Sequence, residues 1–294
     1  MSPSQPICAV AALAFNAFVW GVSWWPFRHL HGQGLHPLWS TVLVFMLSAG
    51  VIAAWRPRAL AQLARTPSLW VLLLAAGTTN AAFNWGVVVG DVVRVVLLFY
   101  LMPLWAVLLA RWLLGERITR GAALRVALAL AGAAIVLWPE GAGGRLDVSL
   151  ADVLGLIGGA SFALNNVMLR REAARSQESR ALAMFAGGVL VAGALASALA
   201  AAGALAWPPA PSSGWLLPAL ALGTAFLASN LALQYGAALL PVNVTAVVML
   251  TEVVFATGSA LLLGGGTLTA RVALGGSLIV LASLLAAFGS RPRD

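Results

Sequence analysis

The chain has 294 residues, 61% of them hydrophobic and 9% charged, against roughly 45–50% and 25% in soluble globular domains. That balance excludes a sizeable soluble domain and indicates a polytopic membrane protein, with room for about ten spans of roughly 20 residues joined by short connections. The formal charge of +8 comes from 17 basic residues, all arginine; they sit mostly between apolar runs, with no RNP, zinc or basic-helix pattern, so the charge reads as topology and not as nucleic-acid binding.

Apolar runs broken by Pro, Gly and charge predict ten helices, at about 7–28, 36–55, 68–89, 93–114, 121–138, 150–170, 181–203, 215–237, 241–264 and 270–289. The first lacks a basic leader region and is too long for a signal-peptide core, so it reads as a retained span. On it Asn16, Trp20 and Trp24 recur every fourth residue and share one face. That face either lines a cavity or, for the tryptophans, anchors at the lipid interface. Arg28 follows at the helix end, either as a partner for a substrate carboxylate or as a solvated terminus. His29, His31 and His36 cluster nearby without a carboxylate or cysteine at ligand spacing, and the single cysteine, Cys8, allows neither a disulfide nor a CxxC site, so no metal or other cofactor is expected.

On the third helix Asn80 and Asn84 repeat the i, i+4 spacing, and on the eighth Asn230 and Gln234 do the same. Amides facing lipid are costly, so these groups should point inward, as cavity lining or as glue between helices. The fourth helix carries Phe99, Tyr100 and Trp105 around Pro103, which should kink it and leave the carbonyl of Phe99 without its usual donor. Gly86 with Gly90, and Gly155 with Gly159 on the sixth helix, are small pairs that permit close packing. The sixth also carries Phe162, Asn165, Asn166 and Met168. The ninth carries Thr245, Met249 and, near the middle of its span, Glu252. An ionised carboxylate at that depth costs about 2.5 kcal/mol or more. It therefore marks either a functional group, able to release a proton when a cavity opens, or a polar pin between helices, with the carbonyl that Pro103 frees as a candidate acceptor.

With both termini on the cytoplasmic side, thirteen arginines lie inside and four (Arg28, Arg94, Arg145 and Arg271) outside, which favours that orientation. An internal repeat is also visible. Gly77, Thr78, Ala82 and Asn84 match Gly223, Thr224, Ala228 and Asn230 at a shift of 146; at 150, Pro103 falls on Val253, Gly115 on Gly265 and Thr119 on Thr269. Five helices per copy is an odd number, so the second copy would cross the membrane inverted, as in many secondary transporters. The expected units are residues 1–145 and 146–294.

Trp20-Gly21 followed by Arg28, Leu101-Met102-Pro103-Leu104, and Gly115-Glu116-Arg117-Ile118-Thr119 resemble the EamA-type branch of the drug/metabolite transporter superfamily. The resemblance implies an all-α, ten-helix inverted-repeat carrier in a bacterial-type cytoplasmic membrane, with a central cavity lined mainly by helices 1, 3, 4, 6, 8 and 9. The Trp-rich first helix and aromatic middle resemble the YddG-like exporters of aromatic amino acids. Two departures stand out: Val253 replaces the proline usual after the ninth-helix Glu, which removes the reason for a kink there, and Gly265-Gly266-Thr267 lacks the acid that would mirror Glu116.

The substrate-binding set expected from these readings is Asn16, Trp20, Trp24, Asn80, Asn84, Phe99, Tyr100, Phe162, Asn166, Asn230, Gln234, Thr245, Met249 and Glu252, with Arg28, Pro103, Glu116 and Arg170 at gates or mouths. The function expected is secondary transport of a small amphipathic metabolite, aromatic or apolar amino acids foremost, or another drug or metabolite of the same superfamily. No GxxxxGK[ST] exists, since there is no lysine, and no HExxH or GxSxG motif is present, which argues against ATP-driven transport and against an intramembrane hydrolase. A non-transporting scaffold would leave the amides and Glu252 without a role.

Overall fold

The computed structural model describes residues 4–114, 118–138 and 148–289, and these are helical, without strands, with ten helices long and apolar enough to cross a membrane. The boundary expected at 145/146, and Glu116, lie outside the described residues. The first span is α1 (Ser4–Val22) continued by α2 (Trp24–Gly32), the second is α3 (Pro37–Trp55), and α4 (Pro57–Arg65) leads into α5 (Pro67–Val89), the third. The fourth span is split into α6 (Val92–Phe99) and α7 (Met102–Leu114), and the fifth is α8 (Arg120–Leu137). The sixth to eighth are α9 (Leu150–Arg171), α10 (Gln177–Ala201) and α11 (Ser213–Leu239). The ninth is split into α12 (Val242–Met249) and α13 (Thr251–Leu262), and α14 (Ala270–Gly289) is the tenth.

Local chemistry sets these boundaries. Pro37, Pro57 and Pro67 each open a helix at its first turn, where the missing N–H removes nothing the helix would use. Asp91 and Thr119 accept from the backbone N–H of Arg94 and Ala122, and Ser149 with Asp152 forms a reciprocal capping box. The sequence reading missed α4. Its signal was Ala59 and Leu63 at i, i+4 behind Pro57; both are buried against Leu69, Leu72 and Leu182, so this short helix closes one end of the bundle rather than crossing it.

The interhelical contacts follow a regular plan. The third span packs on the sixth and seventh, and the eighth packs on the first and second; the fourth packs on the sixth, and the ninth on the first; the second meets the seventh and the fifth meets the tenth. Exchanging the two sets of five spans returns these principal pairs, while lesser contacts, such as that of the second span with the third, have no counterpart of similar size among the described residues of the other half. Small residues set the closest approaches. A Cβ on Gly187 would collide with the Leu73 carbonyl, and one on Gly132 would meet the Gly275 carbonyl, so the third and seventh spans, and the fifth and tenth, touch backbone to backbone. Gly90 lies against Ala151, Gly155 against the Val95 carbonyl and Gly159 against the Phe99 carbonyl. The small pairs seen in the sequence are therefore packing seams of α9 with α5 and α6.

Candidate functional site

The site is organised around two interrupted spans. In the fourth, Pro103 cannot donate to the Phe99 carbonyl, and α6 ends at Phe99; Tyr100 and Leu101 bridge to α7 with Leu101 N–H donating to Leu98 at 3.2 Å and Leu104 to Leu101 at 2.9 Å. The ninth span breaks at Leu250, although Val253 stands where the sequence comparison led one to expect proline and a straight helix was the consequence. There the Thr251 hydroxyl donates to the Val248 carbonyl at 2.6 Å, and Val253 N–H reaches only to Leu250 at 3.1 Å. Side-chain competition and three-residue bonding tighten the turn without a proline. Tyr100 and Leu250 are 150 positions apart, the same shift that relates Pro103 to Val253.

Between these breaks and α1, α3, α5, α9, α10 and α11 lies a cavity of about 130 Å³. Its walls carry the rings of Trp20, Phe45, Phe83, Phe99, Phe162 and Phe185, and its polar groups come from Asn16, Thr79, Asn80, Asn165, Asn230 and Glu252; Ala76, Met184, Leu233 and Met249 complete it. Among the described residues no arginine or histidine lines it. The rings support one another: Phe99 lies 4.9 Å from Phe83 and 5.3 Å from Phe162 between centroids, and Trp20 lies 4.4 Å from Phe226.

Asn16 donates through Nδ2 to the Ser229 carbonyl at 2.9 Å, which fixes the amide and leaves its buried Oδ1 without a partner. The Oδ1 of Asn165, a residue only 2% exposed, also has none. Asn230 Oδ1 accepts from Gln234 Nε2 at 2.7 Å. Glu252 Oε2 accepts from the Tyr100 hydroxyl at 3.2 Å, the one donor it has among the described residues. The carbonyl of Phe99 faces Gly159 instead, so the pairing of Glu252 with that carbonyl, considered from sequence, does not occur.

Of the residues singled out by sequence, the structure brings Asn16, Trp20, Asn80, Phe99, Phe162, Asn230, Met249 and Glu252 to the cavity wall. Tyr100 stands behind Glu252, and Gln234 behind Asn230. Asn84 is fully buried away from the wall, donating to Thr41 at 3.1 Å. Asn166 points to Met102 Sδ at 3.6 Å while its neighbour Asn165 takes the wall position; adjacent helical residues face about 100° apart, so only one of the two can line it. Thr245 lies off the wall with its Oγ1 buried and unpartnered. Arg170 is exposed at the end of α9. Pro103 serves as the start of α7. Sequence reading missed Phe45, Phe83, Met184 and Phe185; an apolar residue in an apolar span carries no periodic mark of which face it occupies.

Trp24 and Arg28 belong to a different structure, at the end of the bundle opposite the termini. Trp24 is buried, donating from Nε1 to Ser259 at 2.9 Å. The Arg28 guanidinium lies 5.0 Å over its ring and donates to the carbonyls of Val87 at 3.1 Å, Gly265 at 3.2 Å and Gly90. Asp91 Oδ2 accepts from the Thr267 N–H at 2.7 Å, and Val92 N–H donates to Gly265 at 3.1 Å. Gly266 is explained here: a Cβ would strike the Asp91 carboxylate. The first, third and fourth spans are thus tied to the turn between the ninth and tenth, and Arg28 is committed to backbone rather than open to a solute. Below this latch α6 is buried along almost its whole length and packs on α9 and α13; α7 packs on α9 and α8, and α12 on α1 and α14.

A solved crystal structure whose chain is 21% identical aligns over 96% of this chain and 97% of its own with a TM-score of 0.54, which shows a shared fold. No curated protein matches the sequence. Residues 7–138, the part of the chain that holds the first five spans, match the EamA-like transporter family, a match that points to a membrane transporter of small solutes.

Proposed function

We propose that the chain is a secondary carrier that moves small amphipathic solutes by alternating access, with the cavity between the first, third, fourth, sixth, eighth and ninth spans as its solute site. The observation that carries the reading is the cavity itself: an aromatic wall with a few polar groups, two of them buried acceptors without partners, at the level where two spans are interrupted. Buried polar atoms cost free energy unless satisfied, and a small shift of either amide toward the cavity would let a solute satisfy it. Helices broken beside a site are the means by which transporters offer polar groups at mid-membrane depth.

On this reading, residues 1–145 and 146–294 are inverted repeats, supported by the exchange symmetry of the packing and by the matched breaks at Tyr100 and Leu250. The arginine distribution supports cytoplasmic termini in a bacterial-type inner membrane. The latch then closes the outer end, and the inner halves α7 and α12 open on the alternate step. Aromatic and other apolar amino acids are the first solutes to screen, because six rings suit an apolar body. The test is counterflow of labelled solute in proteoliposomes: saturable exchange is expected, and its absence across amines, amino acids and uncharged aromatics refutes the carrier reading.

A further inference from the structure

We infer that the group this cavity recognises is a protonated amine on a small aromatic or apolar body, and that a carboxylate on the solute is not a recognition element. The inference rests on reading the cavity as the solute site. Glu252 is the one charged side chain on the wall among the described residues, and it has a single donor, Tyr100. Asn16 commits one N–H of its amide to the Ser229 carbonyl and keeps a buried Oδ1 without a donor. Asn165 Oδ1 is a second buried acceptor without a donor. An ammonium supplies up to three N–H donors and a positive charge to the Glu252 carboxylate.

The apolar wall acts in the same direction. Ring faces carry negative potential and attract cations, and desolvation strengthens that attraction. A carboxylate entering here finds neutral amide donors at best and lies in the same small space as Glu252, with no described arginine or histidine on the wall to offset the repulsion. Size narrows the class further. At about 130 Å³ the cavity is near the ~150 Å³ that holds benzene in an engineered protein core, so one ring or a branched chain with a short aminomethyl arm fits without wide rearrangement.

The test compares three probes of one shape and different charge, benzylamine, benzyl alcohol and benzoate, on the purified wild-type protein in detergent near neutral pH. Ligand-induced thermal stabilisation or Trp fluorescence gives Kd for each. Benzylamine is expected to bind at least about tenfold more tightly than benzyl alcohol, and benzoate not measurably; phenethylamine is expected to bind better than phenylalanine. Glu252→Gln should bring benzylamine and benzyl alcohol to within about threefold. Should that variant fold poorly, Phe162→Leu should weaken benzylamine more than benzyl alcohol, since only the cation loses a ring face. Benzoate binding as well as benzylamine, equal binding of amine and alcohol, or no binding of any probe overturns the inference. Amine binding without counterflow refutes the carrier reading and leaves the recognition intact, so the two failures are distinct.

Discussion

Replacing Arg28 with Gln tests whether the outer latch holds the bundle shut. The guanidinium donates to three backbone carbonyls, Val87, Gly90 and Gly265, and a typical hydrogen bond contributes about 1 kcal/mol net, more when one partner is charged. Three such bonds sum to about 3 kcal/mol, and because Arg28 is only half-buried, solvent screening brings the expected loss to about 1.5–3 kcal/mol. At 1.4 kcal/mol per factor of ten, the ratio of closed to open outer ends should fall by about 10- to 100-fold. Thr79 lines the cavity and is 7% exposed, so a cysteine there, with Cys8 changed to Ser, reports access. Labelling by a membrane-impermeant thiol reagent added opposite the termini should accelerate by that factor in Arg28→Gln. Arg28→Lys, which keeps the charge but not the forked geometry, should fall between. An unchanged rate in a normally folded Arg28→Gln protein refutes the latch.

Other outcomes follow from the same contacts. Cysteines at Arg58 and Arg175 should react only from the cytoplasmic side and one at Gln33 only from outside; the reverse pattern defeats the topology. Gly187→Val should lower the melting temperature substantially, a loss of about 3 kcal/mol or more by the measure of overpacked cores, because the added atoms meet backbone of the third span rather than a movable side chain; a wild-type melting temperature contradicts the backbone seam. His36 accepts from the Leu38 N–H at 3.2 Å at the start of α3, and burial, with His31 beside it, lowers its pKa from 6.5 to about 4. A lowered pKa means that the folded state favours the neutral ring, so this contribution is complete above about pH 6.5 and lost as the pH falls through about 4. Wild-type stability should therefore decline over that interval more steeply than that of His36→Asn, which keeps a capping oxygen but does not titrate; superimposable pH profiles contradict the assignment.

Composition and periodic breaks made the ten spans legible, because a bilayer demands length and apolarity and little else. Polar residues inside spans pointed to the cavity for the related reason that lipid excludes them: Asn16, Asn80, Asn230 and Glu252 reach its wall. What sequence could not carry was rotation. Asn165 and Asn166 are indistinguishable in composition, and the choice between them is made by how α9 seats its glycines against α6. Nor could it separate a polar group that lines the cavity from one that pins helices together, as Asn84 does through Thr41. The latch was illegible because its acceptors are backbone carbonyls, which every residue has. The break at Leu250 escaped notice for want of a proline, though Thr251 and its hydroxyl were the available cue.

Solute held in this cavity during transport must compete for the side chains of its wall. Counterflow in proteoliposomes, with a panel of unlabelled aromatic amines, amino acids and alcohols competing, should be saturable in the wild type. Trp20→Ala, which removes one ring from the wall while leaving the helix seams intact, should change the order in which the panel competes. A competition order identical to the wild type in a normally folded Trp20→Ala protein, or flux that rises linearly without saturation, contradicts the claim.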